Sequence, residues 1–438
     1  MSYFLSAIER TLLTVISAAL ISMPALAGEY NGPNLSGQTV SIAGPWLTAD
    51  EDSFEAVIAY FEKSTGAKVD YAGSDSFEQQ IVIDIKAGSP PNLAAFPQPG
   101  LAANMAAIGG LVPLGSKSAN WVKKNYAAGQ SWVDLGTYKN KNGKKEFYGF
   151  FYNVNVKSLV WYSPENFADG GYSVPKTMEE LVVLSDKIVK DGGTPWCIGL
   201  GSGDATGWPA TDWVEDLMLR THPPAVYDGW VSNDIKFNDP RIVSAIETFG
   251  KFAKNSDYVD GGMAAVGSTD FRDSPKGLFT VPPRCYMHRQ ASFIPAFFPK
   301  SVKVGSDADF FYFPSYSTKN LGNPVLGGGT LIAMTKDSGA TRAFMEYLQH
   351  PKAHEIWMAR AGFLTPHKGV DLNQYSSGTL RKQGEILQNA TTFRFDGSDL
   401  MPGAIGAGSF WSQMVYFVSG ASAKKVADNV QASWDSIK

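Results

Sequence analysis

Residues 38–71 lay down a strand, a helix and a second strand, and this unit commits the chain to an α/β architecture. Residues 38–43 (QTVSIA) read as a buried strand that ends in Gly44-Pro45-Trp46. Residues 54–64 place Phe54, Val57, Ile58 and Phe61 at helical spacing, and Gly66 closes the helix as its C-terminal cap. Residues 67–71 (AKVDY) form the second strand. A helix over 77–87 and a short strand over 93–96 continue the pattern.

The same grammar runs to the end of the chain. Residues 147–162 (FYGFFYNVNVKSLVWY) alternate and are rich in aromatics, as a strand region would be. Helices are expected over 178–190, with Thr177 as N-cap, over 213–220, and over 241–254, with Asp239 as N-cap and Pro240 at the first helical position. A short strand over 196–200 leads into a glycine-rich loop. In the last third, strands are expected over 310–314 and 330–335, the latter entered through Gly327-Gly328-Gly329, and helices over 340–348 and 351–360. No internal repeat, low-complexity tract or flexible linker interrupts the chain. Two domains without a linker imply lobes tied by several chain crossings, with a cleft between them.

The first 27 residues stand apart. Arg10 and the amino terminus give a weakly positive start, residues 11–26 are apolar, Pro24 breaks the run, and Ala25-Leu26-Ala27 offers the small residues of a cleavage site. The apolar run is short for the ~20 residues that span a bilayer, so it reads as a cleaved signal peptide and not an anchor. No cysteine sits at the cleavage site, and no later stretch could span a membrane. Roughly 410 residues remain, enough for two domains at ~100–200 residues each. A net charge of −4 argues against nucleic acid as a partner. In an oxidising compartment Cys197 and Cys285 pair as one disulfide; two buried free thiols are the alternative, and two cysteines do not make a zinc site.

The motifs of enzymes are missing. There is no phosphate loop, no nucleophile elbow and no His-Glu-x-x-His, and residues 199–207 (GLGSGDATG) do not fit the dinucleotide fingerprint. His350 and His354 are spaced i, i+4, but Pro351 between them marks a helix start, and both read as surface residues. Two acidic clusters, Asp50-Glu51-Asp52 and Asp212/Glu215/Asp216, keep a glycoside hydrolase open as the alternative, because that chemistry needs a carboxylate pair. The first cluster also suits the electrostatics of a helix start.

Aromatics in polar, glycine-rich surroundings are more telling, in a chain with 13% aromatic residues. Trp46 follows the first strand at its carboxyl end, where open α/β sheets place ligands. Trp208 lies in Gly207-Trp208-Pro209, and Trp411 follows Gly406-Ala407-Gly408-Ser409-Phe410. A flat indole against a sugar ring buries C–H surface while hydroxyls find polar partners at the edge. For each of these tryptophans ordinary packing is an equal alternative. Asp50, Gln98, Asn155, His288, Arg289 and Asp399 can bond hydroxyls, or, for Arg289 and Asp399, form an ion pair. Gly327 to Gly329 let backbone N–H groups approach a ligand, or let the chain bend between lobes.

Several segments together resemble the extracellular solute-binding proteins, family 1, of bacterial ABC sugar importers, and most closely the periplasmic alpha-glucoside-binding members. They are 58–69 (IAYFEKSTGAKV), 147–162, 201–220 (GSGDATGWPATDWVEDLMLR), 282–294 (PPRCYMHRQASFI) with Trp196-Cys197, 327–334 (GGGTLIAM) continuing to Trp357, and 409–415 (SFWSQMV). The resemblance implies a type II-like periplasmic-binding-protein fold, two α/β lobes joined by a three-crossing hinge with the ligand cleft between them. By position the crossings fall near 148–152, 326–330 and 392–401. Lobe 1 is then 28–150 with 330–392, and lobe 2 is 151–329 with 393–438. The implied contacts are Trp46, Thr48, Asp50, Ser76, Gln80 and Gln98 on the first lobe. On the second they are Asn155, Trp208, Arg284, His288, Asp399 and Trp411, with Gly328 at the hinge. Asn155 and Gly203-Asp204 depart from the pattern of maltodextrin binders, which implies a disaccharide-sized alpha-glucoside. The implied protein is a non-enzymatic, monomeric receptor in the periplasm of a Gram-negative cell. It carries no cofactor or metal, and its partners are a small saccharide and the transmembrane subunits of an ABC permease.

Overall fold

A computed structural model of the protein describes residues 28–437, apart from Thr48, Asp75, Asp204 and Ala361. The expected signal segment therefore lies outside the described residues. Strand β1 (Thr39–Gly44), helix α1 (Ala49–Thr65) and strand β2 (Lys68–Gly73) form the expected unit, with β1 and β2 parallel from Thr39↔Lys68 to Gly44↔Gly73. Val40 and Ile42 point into the core from one face of β1, and Phe54, Val57, Ile58 and Phe61 bury one face of α1. Asp50, Glu51 and Asp52 occupy the first turn of α1, where the helix dipole favours negative charge. Helix α2 (Phe77–Lys86), strand β3 (Leu93–Phe96) and helix α3 (Pro99–Ala107) follow.

Three strands carry the chain between lobes. Strand β4 (Gly149–Val156) runs out of the first lobe into β5 (Leu159–Tyr162), the centre of a second, antiparallel sheet between β6 (Met287–Arg289) and β7 (Asp309–Tyr312). Strand β8 (Pro324–Met334) returns: its second half pairs with β3, its length pairs with β4, and its first half pairs in parallel with β9 (Thr392–Phe395). The glycines at 327–329 thus lie inside β8, not ahead of it. Gly327 and Gly329 would each set a Cβ against the backbone carbonyl of Asn155 or Asn153 on β4, so the close strand approach requires glycine there. The ladder slips by one residue between Thr330 and Leu331.

The buried apolar residues form two clusters, the first of which also takes in Trp161 of β5 and Phe310 of β7. Trp46, Phe54, Tyr152, Phe344 and Trp357 belong to the first, and Trp196, Trp213, Phe249, Phe252 and Trp230 to the second. Helix caps fall where the sequence puts them: Thr177 accepts from the Glu180 amide at 3.2 Å, and Asp239 from the Arg241 amide at 3.0 Å with Pro240 behind it. Cys197 and Cys285 form a disulfide. The expected strand over 196–200 is reduced to Trp196, which bridges Val259 and Met287. The amides of Leu200 and Gly201 turn instead to the loop carbonyls of Val266 and Thr269.

The reading of His354 as a surface residue is corrected. His350 is the half-buried N-cap of the helix Pro351–Met358, but His354 is fully buried, with Nε2 at 2.9 Å from the Leu348 carbonyl and Nδ1 at 2.9 Å from Thr365 Oγ1. His367 lies 5.1 Å from it, ring to ring, and is buried too. Burial pushes the pKa of His367 down to about 4 and that of His354 well below the ordinary imidazole value. Below about pH 6.5 the unfolded chain therefore binds protons that the native state refuses. Stability from these groups is lost as pH falls, and the part due to His367 levels off below about 4. Urea unfolding at pH 7 and pH 5 is expected to show the wild type losing about 2 kcal/mol more than His367→Asn, since a depressed imidazole accounts for that much over this interval. Equal losses would contradict the assignment.

Candidate functional site

The hinge strand β4 supplies the floor of the site. Asn153 and Asn155 are two residues apart and share one of its faces. Asn153 Nδ2 donates to the Gly362 carbonyl at 3.4 Å. Gly362, with φ +78°, approaches α1 so closely that a Cβ there would lie 3.3 Å from Asp50 Oδ1. Asp50 is half-buried, and burial raises its carboxyl pKa. Opposite Asn155 on β8 stands Gly328, where an added Cβ would meet only Phe395, at 3.9 Å, so the floor is open above Asn155.

Lys157, one residue past β4, begins the second-lobe side. Its ammonium donates to Asp212 Oδ1 at 3.0 Å and to Asp396, and lies 5.5 Å over the ring of Trp208. Trp208 and Trp411 do not sit in loops. Trp208 opens helix α4 (Trp208–Thr221), and Trp411 opens α6 (Trp411–Val418), continuing a π-helical turn over 404–410. Both remain half-buried at these helix starts. Gly207 makes the juncture possible: its φ of +116° and lack of a side chain let it rest on the Trp411 backbone. Trp208 meets Phe271 edge-on at 5.0 Å and Phe293 at 6.1 Å.

The one-turn helix α5 (Gly397–Leu400) ties these parts together. Asp396 caps it, accepting from the Ser398 amide at 3.1 Å, the Ser398 hydroxyl at 2.8 Å and the Asp399 amide at 3.4 Å. Ser398 Oγ in turn accepts from Trp411 Nε1 at 3.4 Å. Asp399 is exposed, and its carbonyl is 3.7 Å from where a Cβ on Gly100 of α3 would lie. Gln98 caps the same helix and donates to Glu78 at 3.3 Å, while its buried Oε1 has no partner. Asp50, Gln98, Asn155, Gly328, Trp208, Asp399 and Trp411 are thereby linked in one band across both lobes. Asn153, Lys157, Phe271 and Phe293 belong to it but were not expected. Their only sequence signal was the polar alternation of NVNVK and two phenylalanines in irregular stretches.

Other expected contacts stand elsewhere. Trp46 is 5% exposed, packed among Phe54, Tyr71 and Trp357, so it fills the first core and offers no free face. His288 is 2% exposed in β6, with Nδ1 at 2.8 Å from the Cys197 carbonyl, and burial lowers its pKa to about 4. Arg289 is buried against Asp216 at 2.8 Å, not paired with Asp399. Arg284 is a surface residue paired with Asp260 at 3.3 Å. Gln80 bonds Asp84 on its own helix at 2.6 Å, and Ser76 is exposed ahead of α2. Thr48 and Asp204 lie outside the described residues.

The second acidic cluster is committed to structure. Asp212, Glu215 and Asp216 are fully buried on α4. Burial pushes the Asp212 carboxyl up to about 7, against the pull of Lys157. Burial, then the charges of Asp396 and Asp212, raise Glu215 well above the carboxylate range, and its Oε1 accepts from the Ser398 amide at 3.0 Å. Burial also opposes the charge of Asp396, but Lys157 and the hydrogen bonds Asp396 accepts outweigh that and hold its pKa low. One oxygen from each of Asp212, Glu215 and Asp396 lies within 4.8 Å of the others, a spacing that suits a cation. The Lys157 ammonium already serves as that cation for two of them. No sugar bond could reach a carboxylate pair so enclosed, which removes the geometry a hydrolase needs.

The family described as bacterial extracellular solute-binding protein matches residues 44–355. The chain belongs to this family. It is 62% identical over 408 residues to the alpha-glucosides-binding periplasmic protein AglE of Rhizobium meliloti (strain 1021), covering 93% of this chain and 89% of that one. It is 42% identical over 423 residues to the osmoprotective compounds-binding protein GgtB of Synechocystis sp. (strain ATCC 27184 / PCC 6803 / Kazusa), covering 96% and 98%. Solved structures share the fold at low identity. The bacterial solute receptor AcbH matches with TM-score 0.75 at 18% identity over 93% of this chain and 98% of that one. Apo RafE from Streptococcus pneumoniae matches with TM-score 0.72 at 16% identity over 93% and 100%. The two-lobed binding-protein fold expected from the sequence is thus the fold observed. Among the described residues no helix is long and apolar enough to cross a membrane.

Asp216 holds three groups: Ser158 Oγ at 2.9 Å, Arg289 at 2.8 Å and Arg220 at 2.8 Å. Asp216→Ala would strand two buried guanidinium groups. The expected cost is about 3–5 kcal/mol in urea unfolding, with the slope unchanged. A loss below about 1 kcal/mol would show that the network is not structural.

Proposed function

We propose that this protein is the periplasmic substrate-binding component of an ABC importer, and that it closes its lobes on a disaccharide-sized alpha-glucoside and delivers it to the membrane permease. Identity of 62% along almost the whole chain to an alpha-glucosides-binding protein carries the reading. The band of half-buried indoles and polar groups supports it. Trp208 and Trp411 offer flat apolar faces on one lobe, and Asp50, Gln98, Asn155 and Asp399 offer hydroxyl partners around them.

In this reading residues 1–27 are a signal peptide removed on export, and the mature protein is a diffusible monomer. Lobe 1 comprises 28–150 and 330–392, and lobe 2 comprises 151–329 and 393–438. Ligand binding shifts an open–closed equilibrium of these lobes, because the closed form alone contacts the sugar from both sides.

Calorimetry against trehalose, sucrose, maltose and maltotetraose tests the proposal. At least one disaccharide is expected to bind more tightly than the tetrasaccharide. Trp411→Ala is expected to weaken that binding about tenfold or more, the loss of one stacking face being about 1.4 kcal/mol. No binding to any of these sugars, with binding to a peptide or a polyamine, would sink it. Binding confined to an osmoprotective solute would overturn the choice of sugar.

A further inference from the structure

We propose that Lys157 is the positioning residue of the ligand site, fixing the orientation of Trp208 and Trp411 before any ligand arrives. The inference deepens the sugar-receptor reading above and rests on it. Lys157 is not itself a contact residue. It is 9% exposed, and its ammonium is taken by Asp212 and Asp396.

Its reach is what matters. Through Asp396 it fixes the cap of α5, and the capped Ser398 hydroxyl receives the Trp411 indole N–H. Through Asp212 it fixes α4, whose first residue is Trp208, and it lies over that indole directly. The same point gathers the crossings. The Lys157 amide donates to Leu326 O of β8 at 2.8 Å, and the Ser158 hydroxyl accepts from Leu326 N at 2.9 Å while donating to Asp216. β4 ends one residue before Lys157, and β9 ends one residue before Asp396. All three crossing strands are thus tied to α4: β4 through Lys157 and Ser158, β8 through its bonds to those two residues, and β9 through Asp396 to Lys157 and through the Ser398 amide to Glu215. The aromatic half of the site moves with that lobe as one piece, and bending is left to the first-lobe side of the slip at Thr330/Leu331.

The test uses the full mature chain labelled with 5-fluorotryptophan and read by fluorine NMR without ligand. Eleven tryptophans give eleven resonances, and Trp208→Phe and Trp411→Phe assign two of them. At pH 8, Lys157→Met is expected to shift or broaden both, while the first-lobe resonances of Trp132 and Trp357 stay in place. Lowering the pH to 5.5 protonates the carboxylates that lost their partner and returns both resonances toward their wild-type positions. The wild type is recorded at the same two pH values and the variant is read as its difference from it, because the Asp212 carboxyl, pushed up to about 7, also titrates over that range. Affinity for whichever of trehalose, sucrose and maltose the wild type binds best should follow, at least tenfold weaker in Lys157→Met at pH 8 and largely recovered at pH 5.5. A merely destabilising change would not be rescued at these two indoles alone.

Ser398→Ala removes the acceptor of the Trp411 N–H, along with the hydroxyl's bonds to Asp396 and Thr211, and leaves Lys157 over Trp208, so it should move Trp411 more than Trp208. It decides the matter by itself if Lys157→Met fails to fold. Wild-type resonances for Trp208 and Trp411 in folded Lys157→Met, or an unmoved Trp411 in Ser398→Ala, would overturn the proposal. Absence of binding of trehalose, sucrose and maltose alike to the wild type would count against the sugar assignment, and the ligand-free resonances would still judge the positioning role.

Discussion

A lysine ammonium shared between two buried carboxylates sits where the hinge enters the second lobe, and the arrangement of the site depends on it. Removing such charges from water costs several kcal/mol for each ion, and their attraction repays this only when every remaining polar atom is bonded. Here the cluster meets most of that condition. Asp396 is bonded by Lys157 and by the Ser398 amide and hydroxyl, and Asp216 by Ser158, Arg220 and Arg289, while Asp212 Oδ2 and Glu215 Oε2 have no hydrogen-bond partner. An apolar core would hold the lobe together as well. What a charge network adds is direction, since each bond specifies one partner at one angle. That suits a place where strands and helix starts from distant parts of the chain must meet in a fixed geometry.

Much of the fold was legible because its signals are local. The spacing of Phe54, Val57, Ile58 and Phe61, the cap at Thr177 and the Asp239-Pro240 pair each need only a few neighbouring residues to act, and each appears where it was read. The site was legible only in part. Trp46 follows proline, Trp208 follows glycine and Trp411 closes a glycine-rich stretch, and the sequence presents them alike. Trp46 is drawn into a core by Tyr71 and Trp357, residues 25 and 311 positions away, and nothing near it in the chain announces that. Lys157 pairs with Asp212 and Asp396 at separations of 55 and 239 residues, so it reads in sequence as an ordinary polar residue after a strand. His354 was misjudged for the same reason. Its partners Thr365 and His367 come from a later loop that folds over it.

The division of labour between the lobes follows from this chemistry. The second lobe holds the indoles rigidly, through helix starts clamped by buried ions. The first lobe brings Asp50 and Gln98 on helix starts beside the ends of β1 and β3, the edge where open sheets collect ligands. Gln98 Oε1 is buried without a partner, an acceptor whose cost would be recovered by a ligand hydroxyl. Carboxylates on α4 that could have suggested hydrolysis are used as counter-ions, which leaves the site able to hold a sugar but not to cleave one.

The most direct test is a crystal structure of the protein with a bound alpha-glucoside disaccharide. The account predicts the sugar between the lobes, one ring against Trp411 or Trp208, and hydroxyls bonded to Asp399 and to at least one of Asp50, Gln98 and Asn155. A sugar bound away from both indoles, or in contact with one lobe only in a closed molecule, would contradict it.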